Sequence, residues 1–400
     1  MKPSLSAPLA CAIALLAASA AAQAQSTDKL RIGFLTDMSS VFADIDGKNG
    51  ALAIQMAIDD FGGKVLGRPI ELLSADHQNK ADIGASKARE WIDTQGLTAL
   101  LSGSNSGVGL ALANLAREKK RVYFNIGAGS PALTNEQCTP YTVHYAFDTV
   151  ALSRGTGTAV VAGGGTNWYF LTADYVFGHA LESDTAKVVQ ASGGTVAGAV
   201  RHPLNAADFS SFLMQAQNAK AQILGLATAG TDAHNAIKAA REFGITRSMK
   251  MAALMFFNTD VHALGMKNTE GLLFTTSWDW NLNEGSRAFG QKFFAKTKRM
   301  PSDLQAADYS ATMNYLKAVQ AAGTTDADAV MAQLKRTPID DFYAKGTIRP
   351  DGRFVHDMYL VQVKSPAESR QPWDYLKLVK QLPGEELFTR KDESRCALWK

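Results

Sequence analysis

Cysteines, long apolar segments and runs of basic residues are all scarce in this chain of 400 residues. It contains three cysteines, and its net charge is only +3. The basic residues are scattered, which argues against a nucleic-acid-binding surface. Beyond Gln25 no apolar run is long enough to cross a bilayer, which argues against insertion of the mature chain into a membrane.

The N-terminal segment, residues 1–24, has the pattern of a cleaved signal peptide. Lys2 supplies a short positive region, Leu9 to Ala22 is apolar, and Ala22-Gln23-Ala24 places small residues where signal peptidase reads. A transmembrane anchor is the alternative, but the apolar stretch is short and polar residues follow it. We therefore expect cleavage after Ala24 and export to the periplasm.

Removal of this leader leaves two cysteines, Cys138 and Cys396. In an oxidising compartment they either pair or remain as buried thiols. Cys138 follows a polar turn, Thr134 to Gln137, where a buried thiol is less natural. The sequence favours a disulfide between Cys138 and Cys396.

Short apolar runs alternate with longer amphipathic segments of helical periodicity, a pattern typical of βαβ units and a parallel sheet. The predicted strands form two sets: Arg31–Thr36, Pro69–Ala75, Thr98–Leu101 and Arg121–Ile126, then Trp168–Thr172, Thr195–Val200, Ile223–Ala227 and Lys250–Leu254. The predicted intervening helices include Ile83–Ile92 and Gly107–Lys119 in the first set and Ala180–Gln190 and Ala233–Phe243 in the second.

Four hundred residues exceed one ordinary core, so two lobes are expected. We predict an α/β fold of two doubly wound parallel-sheet lobes joined by a three-strand hinge. Lobe 1 comprises residues 29–147 plus about 278–356, and lobe 2 comprises 148–277 plus about 357–400 with the C-terminal tail. The chain must return between lobes because the later helices (289–298, 309–321 and 327–334) lack enough strands for a third sheet. Ligands of such folds lie in the cleft beyond the strand carboxyl ends.

Two small-residue loops follow neighbouring strands of the first lobe. Ser102 to Gly107 opens a helix, and Gly127 to Pro131 follows the next strand. Free backbone N–H groups at such positions suit a carboxylate or phosphate. The first loop alone is also compatible with an ordinary helix-capping turn, but two such loops at neighbouring strand ends are more telling than either alone.

Aromatic residues follow strands of the second lobe. Tyr175 and Phe177 come after Trp168–Thr172, and Phe257 comes after Lys250–Leu254. A core position is the alternative for each, but their shared placement favours the cleft wall.

The sequence has no GxSxG, HExxH or Walker A motif, and its seven histidines are not spaced to share a metal. Gly103, Gly107 and Gly109 spell a dehydrogenase-like GxxxGxG, but this loop follows the third strand, and no Tyr-x-x-x-Lys pair follows it. We therefore predict a binding protein without cofactor or metal, and keep a nicotinamide-dependent enzyme as an alternative.

Several motifs together resemble the periplasmic binding proteins of the branched-chain amino acid (leucine/isoleucine/valine) type, over nearly all of the mature chain. These motifs are Ile32–Leu35, Ser39–Asp44 with Phe42, Gly62–Leu72 (GGKVLGRPIEL), Asn105–Val108, Ser130–Thr134 and Tyr175–Gly178. The resemblance implies a type I periplasmic binding protein, the receptor of an ABC importer, which delivers its ligand to a membrane permease.

The resemblance also implies ligand-binding residues. Ser106 and the Ala128-Gly129 turn match the family's carboxylate anchors, and Phe177 matches an aromatic that covers the ligand. The full predicted set is Asn105, Ser106, Ala128, Gly129, Ser130, Phe177, Tyr175, Phe257 and Phe42.

Three departures concern the ligand's amino group. Gly129 replaces a threonine that touches both ends of an amino acid, Ala229-Gly230 replaces a tyrosine, and Leu254–Phe257 is apolar where an acidic residue should meet the ammonium group. A buried ammonium group without counter-charge costs several kcal/mol. We therefore expect a monomeric receptor for a carboxylate with an apolar or aromatic body and no α-amino group.

Other ligands and roles stay open at this point. Asp46, expected at the cleft mouth, could supply a carboxylate to a cationic ligand, which keeps an amino-acid or amide receptor as an alternative. A protein that reports ligand to a membrane sensor is another.

Overall fold

The computed structural model describes residues 29–400. The predicted signal peptide, residues 1–24, lies outside this range. None of the helices from residue 29 onward has the length and hydropathy of a membrane span.

A six-stranded sheet forms the centre of the first lobe. Its strands are β1 (Leu30–Thr36), β2 (Lys64–Val65), β3 (Arg68–Asp76), β4 (Leu97–Ser102), β5 (Val122–Asn125) and β6 (Thr142–His144). They lie in the order β2-β3-β1-β4-β5-β6, and all neighbours are parallel except β2 and β3. The direction of winding reverses at β1, between β3 and β4.

Helices cover both faces of this sheet. They are α1 (Gly47–Asp60), α2 (Ala81–Gln95) and α3 (Ser106–Lys119), and a 3-10 turn spans Pro131–Thr134. Trp91 and Leu112 pack with Leu100 on one face, while Ile54 packs with Phe34 on the other. Burial of these side chains, at about 25 cal/mol per Å², holds the layers together.

The second lobe has a four-stranded parallel sheet. Its strands are β7 (Asn167–Ala173), β8 (Thr195–His202), β9 (Ile223–Ala227) and β10 (Lys250–Ala253), in the order β10-β9-β7-β8. Its helices are α4 (Thr149–Leu152), α5 (Thr158–Ala162), α6 (Val176–Ala191), α7 (Ser210–Asn218), α8 (Gly230–Glu242), α9 (Asn258–Leu264) and α10 (Met266–Thr269). A π-helical turn at Ser153–Gly157 joins α4 to α5, and a 3-10 turn spans Ile245–Arg247.

The remaining chain forms two small antiparallel sheets and four helices. The strands are β11 (Leu273–Thr276), β12 (Ile339–Asp340), β13 (Lys345–Ile348), β14 (Phe354–His356), β15 (Met358–Val363) and β16 (Leu376–Leu382). They pair in the orders β11-β15-β16 and β12-β13-β14. The helices are α11 (Glu284–Thr297), α12 (Asp303–Ala322), α13 (Ala327–Arg336) and α14 (Gly384–Leu387), with a 3-10 turn at Lys391–Glu393.

The chain passes between the lobes three times, and this agrees with the predicted type I architecture. It leaves the first lobe near Asp148, returns after β11, and leaves again between β14 and β15. The late helices pack back on the first lobe, as expected: Lys292 of α11 forms an ion pair with Asp60 of α1, and α12 packs along α1.

Most predicted elements are present, with shifted ends. The strand Ile223–Ala227 has the predicted bounds, whereas the helix expected at 309–321 begins earlier, at Asp303. Ser302 and Gln305 form a capping box there, which fixes the helix start. β16 lies in the C-terminal tail, for which we predicted no strand.

The C-terminal segment is fastened to the rest of the chain at several points. The predicted disulfide is confirmed: Cys138 and Cys396 are bonded, with their Cα atoms 5.7 Å apart. Glu393 accepts two hydrogen bonds of 2.8 Å from the Arg154 guanidinium, in the turn just after the first crossing. The tail therefore contacts the chain on both sides of the first crossing, in the first lobe at Cys138 and in the second lobe at Arg154.

Replacing both cysteines, Cys138→Ser with Cys396→Ser, should lower the free energy of unfolding. The disulfide closes a loop between residues that are 258 positions apart in the sequence. For such a loop the chain-entropy model gives a stabilisation of up to about 5 kcal/mol. Thermal and urea unfolding of the variant check this, with reduced wild-type protein as the matched comparison. A variant as stable as the oxidised wild type would show that the bond contributes nothing.

Candidate functional site

Loops after the parallel strands of one lobe face those of the other. The Thr231 backbone N–H donates to the Val41 carbonyl at 3.1 Å, and the Asn205 amide donates to the Ser40 hydroxyl at 3.3 Å. A Cβ on Gly129 would lie 3.0 Å from the Phe177 ring. The carboxyl ends of the two sheets therefore meet across a closed cleft, where doubly wound folds bind ligands.

The loop after β4 brings two serine hydroxyls to the start of α3. Asn105, at φ 93°, accepts from the Val108 N–H at 3.1 Å and donates to Asn79 at 3.2 Å, so its side chain shapes the loop. The hydroxyl oxygens of Ser104 and Ser106 are buried and have no hydrogen-bond partner within residues 29–400. Position 103 requires glycine because a Cβ there would lie 1.6 Å from the Asp46 carboxylate.

The turn after β5 leaves its backbone donors free. The carbonyl of Ala128 accepts from the Asn125 amide at 2.8 Å, and that of Gly129 accepts from the Thr149 N–H at 2.9 Å. The N–H groups of residues 127–130 donate no hydrogen bond to any other residue of the described chain. Together with the start of α3, these donors suit an anion.

Aromatic rings of both lobes meet in the cleft. The ring centroids of Phe42 and Tyr175 are 6.4 Å apart, and those of Tyr175 and Phe177 are 6.0 Å apart. The Phe147 ring also borders Gly129, and its centroid lies 6.2 Å from that of Phe257. These contacts supply apolar walls beside the polar loops.

The contacts bring together Phe42, Tyr175, Phe177 and Gly129 from the predicted set. Phe257 joins this group through Phe147, a residue outside the predicted set. Ser106 and Ala128 lie in the two donor loops, and Ser130 is buried at the start of the 3-10 turn. The side chain of Asn105 forms hydrogen bonds within its own lobe.

Several other polar side chains lie near these loops or near the crossing segments. Each has one buried side-chain oxygen without a hydrogen-bond partner in the described part of the chain: Thr228, Asp232, Asn258, Thr259 and Asp303. Thr228 and Asn258 come just after β9 and just after Phe257, so the rule that selected Ser106 could have found them. Asp232 and Asp303 lie in the first turns of α8 and α12, where no comparable signal is present in the sequence.

Burial changes the acidity of both aspartates. It raises the pKa of Asp232 to about 6, although backbone hydrogen bonds from Asn205 and Ala206 oppose the shift. It raises the pKa of Asp303 to about 7, against hydrogen bonds from Ser277 and Thr276. The segment Leu254–Phe257 is apolar and buried, as expected, but these two carboxyl groups reach the interlobe region from other elements.

The expectation that Asp46 lies at the cleft mouth is wrong. Asp46 is fully buried inside the first lobe, where it accepts from the Thr36 hydroxyl at 2.8 Å and pairs with Asp308 of α12. The chain turns inward just before α1 and takes this side chain with it. Asp46 therefore cannot supply a counter-charge to a ligand in the cleft.

The arrangement can hold an anion and an apolar body. From residue 29 to the C-terminus, no three His, Cys, Asp or Glu side chains converge as a metal site. Two doubly wound lobes on a three-crossing hinge, with free donors facing aromatic rings, define a two-lobed solute receptor.

The chain belongs to the periplasmic binding protein family, whose model matches residues 29–369. A periplasmic binding protein from Burkholderia mallei is 65% identical, with 93% of this chain and 100% of that chain covered and a TM-score of 0.92. A branched-chain amino acid ABC transporter periplasmic ligand-binding protein from Burkholderia xenovorans is 38% identical, with coverage of 93% and 100% and a TM-score of 0.83. The Leu/Ile/Val-binding protein homolog 6 of Brucella abortus is 25% identical over 66% of this chain and 67% of its own length.

The protein is thus a periplasmic solute-binding receptor of the ABC-transporter type, as the motifs predicted, and this is a family of binding proteins. Three solute-binding proteins from Rhodopseudomonas palustris, at 19–21% identity, share its fold with TM-scores of 0.80–0.82. Each covers 89–92% of this chain and 98–100% of its own length. Their structures contain 3,4-dihydroxybenzoic acid, benzoate and 4-hydroxybenzoate, respectively.

The buried Asp46–Asp308 pair should make stability depend on pH. Burial raises the pKa of Asp46 to about 6, and burial with the neighbouring Asp46 raises the pKa of Asp308 well above its usual value. The folded chain then keeps protons that the unfolded chain releases near pH 4, so stability falls as pH rises through 6 and beyond. Asp308→Asn should reduce the loss between pH 5 and 8 by at least about 1.4 kcal/mol, the equivalent of one pKa unit.

Urea unfolding at the two pH values measures this loss. Asp82→Asn, the same change at an exposed position, should leave the pH dependence as in the wild type. If the free energy of unfolding of Asp308→Asn fell with pH as steeply as that of the wild type, the raised pKa values of the Asp46–Asp308 pair would be contradicted.

Phe177→Ala should weaken ligand binding by about tenfold to a hundredfold. The side chain is 3% exposed between the lobes, and its loss removes apolar contact area worth a few kcal/mol from the closed form. Calorimetric titration measures the Kd, and the melting temperature without ligand should change little. Phe243→Ala, at an exposed ring of the same lobe, is the control, and an unchanged Kd for Phe177→Ala would remove Phe177 from the site.

Proposed function

We propose that this receptor binds a small organic carboxylate with an apolar or aromatic body and no α-amino group, closes on it by hinge motion, and delivers it to an ABC permease. The receptor acts as a monomer. One observation carries this proposal. Hydrogen-bond donors without partners at Ser104, Ser106 and residues 127–130 lie on the first lobe, and the Phe177 ring faces them from the second lobe.

The donors fit a carboxylate better than a neutral group. Two hydroxyls and several N–H groups converge near the start of α3, where the helix dipole adds positive potential. Each charge-assisted hydrogen bond contributes roughly 1.5–3 kcal/mol. No buried lysine or arginine is required for this mode of binding.

The aromatic walls supply the rest of the affinity. Burial of a ring of about 150 Å² contributes roughly 4 kcal/mol. After the ordering cost of association, micromolar affinity, a binding free energy of about −8 kcal/mol, is reachable. The benzoate complexes of the Rhodopseudomonas relatives support an aromatic acid, because the same fold accommodates such ligands.

An amino-acid receptor is the second candidate, and one observation favours it. Asp303, 3% exposed beside the return crossing, has a carboxylate oxygen without a partner in the part of the chain that the structure describes. An ionised Asp303 could meet an ammonium group. Against this candidate, Gly129 lacks a side chain at the anchor, and its neighbours are the rings of Phe177 and Phe147.

A thermal-shift panel of the mature chain separates the two candidates. Benzoate or a related acid at a hundred times its Kd should add about 2.7 kcal/mol of stability, a shift of roughly 5–10 °C. Leucine, isoleucine, valine and amides should give no shift. Stabilisation by these amino acids but not by plain carboxylic acids would overturn the proposed ligand class and leave the receptor class intact.

A further inference from the structure

The second lobe presents its own set of unpaired polar groups to the cleft. The Thr228 hydroxyl and one carboxylate oxygen of Asp232 are buried and have no partner between residues 29 and 400. The Tyr175 hydroxyl forms no hydrogen bond there either. These three residues lie after β9, in α8 and after β7, the elements around the switch point of the second sheet.

Asp232 is held firmly at the boundary between the lobes. One of its carboxylate oxygens accepts from the Asn205 N–H at 3.0 Å. Asn205 in turn bonds Ser40 of the first lobe, and Thr231 bonds Val41. The second oxygen, Oδ1, is thereby held at the same boundary, buried and without a hydrogen-bond partner in the described chain.

Tyr175 connects Asp232 to the proposed ligand site. Its ring lies between those of Phe42 and Phe177, at 6.4 and 6.0 Å. A Cβ on Gly230, two residues before Asp232, would lie 3.2 Å from the Phe42 ring, against which Tyr175 also packs. Tyr175 and the start of α8, which contains Asp232, therefore border the same part of the cleft. A ligand with its carboxylate on the first-lobe loops and its body along Phe177 would reach this group with its far end.

The chemistry of this group specifies a partner. Asp232, when ionised, only accepts hydrogen bonds, whereas the Tyr175 and Thr228 hydroxyls can also donate. A hydroxyl group satisfies both kinds of partner. A ligand ring without a polar substituent leaves these protein groups unpaired, which costs about 1–3 kcal/mol for each buried group.

We propose that Asp232, with Tyr175 and Thr228, selects a ligand that carries a hydroxyl group at the end meeting the second lobe: a hydroxy-substituted aromatic carboxylic acid. This inference rests on the proposed function and specifies its ligand further. Asp232 acts as the specificity-determining acceptor, and Tyr175 and Thr228 complete the hydrogen bonds of the same hydroxyl.

Calorimetric titration of the mature chain with benzoate, 3-hydroxybenzoate and 4-hydroxybenzoate tests the proposal. At least one hydroxylated acid should bind about tenfold or more tightly than benzoate, as expected for a hydrogen bond to a charged group. The ratio of the two Kd values is the readout. It should fall to within about twofold in Asp232→Asn and in Tyr175→Phe, which keeps the ring.

Asp308→Asn is the matched control, because it makes the same chemical change at a buried carboxyl inside the first lobe. It should keep the wild-type ratio. If Asp232→Asn does not fold, Tyr175→Phe and the wild-type comparison decide.

The outcomes separate this inference from the proposed function. Equal affinity of the wild type for benzoate and both hydroxylated acids overturns the inference and leaves the function standing. A preference that survives in both variants overturns the role of Asp232 and Tyr175. Failure of all three acids to bind, with binding of amino acids, overturns the proposed function and the inference with it.

Discussion

The closed cleft depends on polar groups that the protein itself does not satisfy. Ser104 and Ser106 on one side, and Thr228 and Asp232 on the other, are buried with oxygens that lack a partner anywhere in residues 29–400. Each such group costs about 1–3 kcal/mol when desolvated and unpaired. The hydrogen bonds between the facing loops, such as those to Val41 and Ser40, involve other groups and offset little of this cost. In the proposed function, a ligand that pairs these groups favours the closed arrangement over the open one, so that binding is coupled to hinge closure.

The doubly wound topology explains why these groups meet. In each sheet the direction of winding reverses beside the first strand, so loops diverge there and leave a crevice. The loops after β1 and β4 supply Phe42 and the serines, while those after β7 and β9 supply Tyr175 and Thr228. The alternation of apolar strands and amphipathic helices was enough to predict this arrangement, since buried parallel strands have a strong hydrophobic signal. β16 lacked that signal because most of its residues are exposed at the edge of its sheet.

The positions of the candidate site residues could be predicted where they follow the ends of strands. They could be predicted less well where the direction of a side chain decides whether it faces the cleft. Ser106, Gly129 and Phe177 follow strands, and the structure places all three at the facing edges. Asp46 also lies near a strand end, but its carboxyl group turns into the first lobe toward Thr36 and Asp308. Asp232 is the opposite case. It borders the cleft, but its place in the first turn of α8 gave no indication of this in the sequence. Direction within a loop or a first helical turn depends on tertiary contacts that a single sequence does not specify.

The C-terminal segment braces the region where the chain crosses between the lobes. Cys396 ties it covalently to the first lobe, while Glu393 holds Arg154 just after the first crossing, and Arg154 also donates to the carbonyls of Leu387 and Phe388. The Phe388 ring lies 4.1 Å from the guanidinium of buried Arg353, beside the last crossing. Two of the three crossings are therefore braced by side chains from outside the hinge strands. In the proposed function, such bracing limits the conformations that the open form can adopt, and a receptor with fewer open conformations loses less entropy when it closes on its ligand.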